Sequence, residues 1–146
     1  MSCKLTMMLV SESQEGNIGN DWRYLLEAKV FHGALAGEAT VDVAKHTLQS
    51  GEVIQPHGSP DPVVLFEGEC EDELLIRLNL TATEVDTFID DVGKASKDVR
   101  LEMPGPGCTH LVREVDIDTG VRESPGIRNL IAMFTLRLRF VVDTTA

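Results

Sequence analysis

The chain holds 146 residues, 42% of them hydrophobic, enough apolar surface for a single domain over residues 1–146. Its 13 Lys and Arg stand against 24 Asp and Glu for a formal net charge of -11. That balance repels phosphate backbones, so nucleic acid is excluded as an expected partner, and an anionic bilayer is admitted only through an intervening cation.

Hydrophobic residues fall in short runs such as Met7-Met8-Leu9-Val10, well short of the roughly 20 needed for a helical membrane span. The N-terminal stretch reads as a first strand, Leu5 to Ser11, rather than as a signal peptide. After the turn formers Gly16-Asn17-Ile18-Gly19-Asn20 comes a clean period-two alternation, with Trp22, Tyr24, Leu26, Ala28 and Val30 on one face and Arg23, Glu27 and Lys29 on the other. Strands are predicted next over Glu38 to Lys45 and Val63 to Glu67, with Pro56 to Pro62 between them. Leu74, Ile76, Leu78, Leu80 and Ala82 mark a second clean alternation, and Thr83 to Val92 has room for a turn of helix. Val99 to Met103 and His110 to Ile117 follow, separated by Pro104-Gly105-Pro106-Gly107. Beyond Ser124-Pro125-Gly126, with a second place for a helical turn up to Ala132, the last strand alternates through Ala132, Phe134, Leu136, Leu138, Phe140 and Val142. About eight strands, each with one apolar face, predict an all-β fold, an antiparallel β-sandwich.

Nucleophile-elbow, Walker, dinucleotide and paired Cys-x-x-Cys motifs are absent, and no enzyme is predicted. Cys3, Cys70 and Cys108 are an odd set with no close pair, which predicts unpaired thiols in a reducing cytoplasm. His32, His46, His57 and His110 are scattered and read as surface or turn residues. Cys108-Thr109-His110 offers two soft ligands where zinc wants four. Arg137 and Arg139, with Arg122 and Arg128 near the start of their strand, form a basic strip that either meets a phosphate or an acidic partner or guards an edge against aggregation.

The carboxylates cluster in loops. Glu84, Asp86, Asp90 and Asp91 follow the second clean strand, and a turn at Thr87 to Ile89 would bring them together. A second acidic stretch can add Glu12, Glu15 or Asp21. Converging carboxylates repel one another unless protonated, solvated or bound to a cation, and Ca2+ is the ion that takes six to eight such oxygens. A solvated acidic rim is the equal alternative.

The order of these features resembles a C2 domain, the eight-stranded Greek-key sandwich used for membrane docking or protein contacts. The residues that carry the resemblance lie within roughly residues 4–93: Asp21-Trp22-Arg23-Tyr24 entering the second strand, Lys45-His46-Thr47-Leu48, then Glu84-x-Asp86 and Asp90-Asp91-Val92-Gly93 after Leu74 to Thr83. It implies Asp21, Asp86, Asp90 and Asp91 as ion ligands with Glu84 nearby, and Ca2+ as the cofactor; beside them Ile18, Phe88 and Ile89 read either as a membrane-dipping rim or as caps on the end of the sandwich. The function expected is a non-enzymatic module binding a protein or membrane surface. The competing expectation is an assembly subunit that forms a homo-oligomer.

Overall fold

The computed structural model describes residues 1–70, 72–103, 110–123 and 130–145. Its strands are β1 (Ser2–Glu15), β2 (Asp21–His32), β3 (Ala34–Thr47), β4 (Val53–Ile54), β5 (Val63–Glu69), β6 (Glu73–Glu84), β7 (Asp91–Glu102), β8 (His110–Arg122) and β9 (Ile131–Thr145). One antiparallel sheet runs β4-β1-β9-β8, with β5 also on β1, and the other runs β3-β2-β6-β7. The two pack face to face as a β-sandwich. All eight predicted strands are present, and the two-residue β4 is an addition. No helix forms between Thr83 and Val92, where β6 runs to Glu84 and β7 begins at Asp91. The turns at 104–107 and 124–126, Cys108, Arg128 and most of the second proposed helical turn lie outside the described residues.

The alternating faces settle inward as their periodicity requires. Trp22, Tyr24, Leu26, Ala28 and Val30 of β2 are buried, as are the apolar faces of β6 and β9. Trp22 stacks on Phe134 across the sandwich at 5.6 Å, and Tyr24 tilts against the same ring at 5.1 Å. These aromatics join the two sheets at one end.

Charged side chains finish the outer faces. β9 is an interior strand between β1 and β8, so Arg137 and Arg139 neither guard an edge nor form an unpaired basic strip. Arg137 donates to Asp116 at 2.8 Å and Arg139 to Glu114 at 2.6 Å across the ladder, and the hydrogen bond from Arg137 holds the Asp116 carboxyl below its usual range. At one flank, where β7 meets β8, Lys97 Nζ donates to the Asp116 carbonyl at 2.6 Å and Arg113 to the Arg100 carbonyl at 2.7 Å. Side-chain donors thereby occupy carbonyls on two strands that end their sheets, which makes them poorer templates for another chain.

The expectation of unpaired thiols is overturned at two of the three cysteines. Cys3 on β1 and Cys70 after β5 form a disulfide with Cα atoms 6.1 Å apart. Their 67-residue separation hid the pair in the sequence, but β1 pairs β5 so that Cys3 faces Gly68. We expect iodoacetamide to label only Cys108 in denatured, unreduced protein and all three cysteines after reduction. Labelling of Cys3 and Cys70 without reductant would show the bridge to be absent.

Candidate functional site at the polar end of the sandwich

Polar residues enter the interior mainly at one end, where strand register lines them up. Across one sheet His46, Trp22, Glu84 and Asp91 form a single row, and across the other Gln14, Phe134 and Thr119 do the same. All of them are buried. The Trp22–Phe134 stack stands in the middle, with carboxylates on the β6–β7 side and a Glu–His pair on the side of β3 and β4.

On the β6–β7 side, Glu84 takes the next inward place after Ala82 and directly faces Asp91. Like charges at directly opposed positions of a ladder are unfavourable, and here both are buried. Exposed Asp86 completes a group in which one oxygen from each of Glu84, Asp86 and Asp91 lies within 4.8 Å of the others. Burial first, then the hydrogen bond with Asp91 and the charges of Asp86, Asp91 and Asp21, push the Glu84 carboxyl up to about 8. Among the described residues its Oε2 finds no hydrogen-bond partner. Gly19 is pressed against this carboxylate so closely that any side chain there would collide with Glu84.

The five candidate ligands thus divide. Glu84, Asp86 and Asp91 meet. Asp90 turns away, its Oδ2 3.5 Å from Arg23 and its Oδ1 accepting the Asp86 N–H at 3.0 Å. Asp21 is exposed, adds to the field on Glu84, and is not among the three that converge. Of the apolar rim, Ile18 packs on the core, whereas Phe88 is 93% exposed at the loop tip with Ile89 beside it. Asp86 Oδ1 also accepts the Thr87 N–H at 2.7 Å, so two carboxylates brace the loop that carries Phe88.

The second polar group runs against the sequence pattern. A bulge between Leu9 and Ser11 of β1 reverses the inward phase, so Glu12 and Gln14 point into the core. A register shift opposite Trp22 to Tyr24 does the same for His46 on β3. His46 is therefore no surface residue, and Glu12 is not part of the acidic loop. His46 Nε2 lies 2.9 Å from Glu12 Oε2 and its Nδ1 2.8 Å from the Ala44 carbonyl. Glu12 Oε1 accepts the His57 N–H at 2.9 Å, and the His57 ring stacks on His46. Burial first, then the Glu12 charge, raises the Tyr24 phenol above its ordinary range.

Neither comparison adds a name to this geometry: no protein-family model matches the chain, and no curated protein matches its sequence. What the fold and site define is an antiparallel β-sandwich with a carboxylate group buried at one end. Among the described residues, no helix is long and apolar enough to cross a membrane.

Proposed function

We propose that the chain is a non-enzymatic interaction module of C2-like architecture that presents the acidic end of its sandwich to a protein or membrane partner, with Ca2+ held by Glu84, Asp86 and Asp91. The observation that carries this reading is the buried Glu84–Asp91 pair, opposed in register and closed on a third side by Asp86. A hard divalent ion offsets the repulsion of such a group and uses the oxygens it offers, with backbone and water completing the shell. Phe88 on its braced loop supplies an apolar contact beside the charge, and a held loop loses less entropy on binding.

Millimolar Ca2+ is expected to raise the melting temperature by about 5 °C. Asp86→Asn should abolish the rise and Asp90→Asn should keep it, because Asp90 is engaged with Arg23. No rise in the wild type would end the cation part of the proposal, and a rise that survives Asp86→Asn would move the ion elsewhere.

Self-assembly into a homo-oligomer is the alternative, and the side-chain donors on the β7 and β8 carbonyls count against it at that flank. A mass that grows with concentration in light scattering would favour it. A cytoplasmic setting is opposed by the Cys3–Cys70 bridge, since disulfides persist mainly in oxidising compartments. Free thiols at both positions in protein taken directly from cells would restore it.

A further inference from the structure

Glu12 fastens residues 55–62, the connection from β4 to β5, to the interior. Its Oε1 holds the His57 N–H, and the exposed His57 ring lies flat on buried His46, with centroids 4.5 Å apart and planes 3° from parallel. Both His46 ring nitrogens face acceptors, the Ala44 carbonyl and the Glu12 carboxylate. An imidazolium donates from both nitrogens at once, so these two acceptors suit the charged form of the ring. Parallel rings cannot aim their in-plane nitrogens at one ion, which sets metal binding aside.

Among the described residues, the other groups around the pair are few. Tyr24 faces it from β2; opposite Glu12 stand apolar Ile54 of β4 and Leu136 of β9. Lys45 of β3 and Asp61 of the connection are exposed, and Glu84 lies beyond Trp22. The anchored turn is closed by Ser59 N–H donating to the Pro56 carbonyl at 3.0 Å, and it holds Ser59 at φ 42, a conformation that a non-glycine residue keeps only when its surroundings enforce it.

We propose that residues 55–62 are an acid-released latch, fastened by the Glu12–His46–His57 contacts and let go when His57 gains a proton. Imidazoles change charge between about pH 5 and 8. With protons on both rings, two parallel cations stand against each other, and a proton on Glu12 removes their shared counter-charge. The turn then lifts from β1, whose residues Met8 to Val10 lie between its β5 and β4 pairings and form, with Pro56 and Ser59, a shallow cavity. The latch is independent of the carboxylates beyond Trp22 and of any cation there.

Hydrogen–deuterium exchange of the full chain, in chelator and corrected for the intrinsic rate at each pH, tests this. Between pH 7.5 and pH 5, amides of residues 55–62 should lose roughly 10-fold in protection while those of β6 hold theirs. His57→Gln, at an exposed position, keeps the N–H bond without the second charge and should stay protected at both pH values. No loss in the wild type, the same loss in His57→Gln, or an equal loss across β6 would each overturn the latch.

Discussion

Replacing Glu84 with glutamine is expected to stabilise the cation-free protein at pH 8, by an amount on the order of 4 kcal/mol or roughly 10 °C in melting temperature. The sign follows from where the proton sits. Below the ordinary carboxyl value of 4.5 the folded and unfolded chains both hold it, and Glu84 contributes no difference. As pH rises, the unfolded chain releases the proton while the fold, with Glu84 pushed up to about 8, retains it. The folded state then binds more protons, and stability falls until Glu84 ionises in place. Glutamine does not titrate, so the variant keeps at pH 8 what the wild type has lost. Urea unfolding in chelator at pH 5 and pH 8 measures this: the two proteins should converge at pH 5 and separate at pH 8. Parallel curves would show that Glu84 is not the group in question. Saturating Ca2+ should reverse the order at pH 8, because only the wild type can use the ion.

Part of this site is legible in the sequence. The alternation from Leu74 to Ala82 makes Glu84 the next inward position, so its burial follows from period two alone. Asp91 reads as a loop residue in the sequence because the inner face of β7 begins Asp91, Gly93, Ala95 and Lys97 and shows no apolar period. That strand is built for close approach: a side chain at Gly93 would sit 2.6 Å from the Gly120 carbonyl of β8. The division between Asp86 and Asp90 could not be read at all, since it depends on Arg23 reaching the loop from β2. The strand pattern gave the sandwich because each clean alternation contributes one sheet-forming apolar face, whereas two-residue β4 is too short to have a period.

Glu12 and His46 show the opposite case, and they carry the other large prediction. Strict alternation from Leu5, Met7 and Leu9 would send Ser11 and Ser13 inward and Glu12 out; one bulged residue inverts that. Truncating Glu12 to alanine leaves a buried His46 with a ring nitrogen and no acceptor, and it releases the His57 N–H as well. Breaking a buried ion pair at one partner costs about 3–5 kcal/mol, so we expect a loss of that size for Glu12→Ala. Replacing both residues with leucine leaves no buried polar group unsatisfied and restores apolar contact with Tyr24, Leu136 and Ile54. That double variant should recover most of the loss, with a coupling of roughly 2 kcal/mol or more in a double-mutant cycle based on the two single leucine variants. Additive single changes would mean that the two side chains do not stabilise each other, and that the bulges in β1 and β3 serve something other than their meeting.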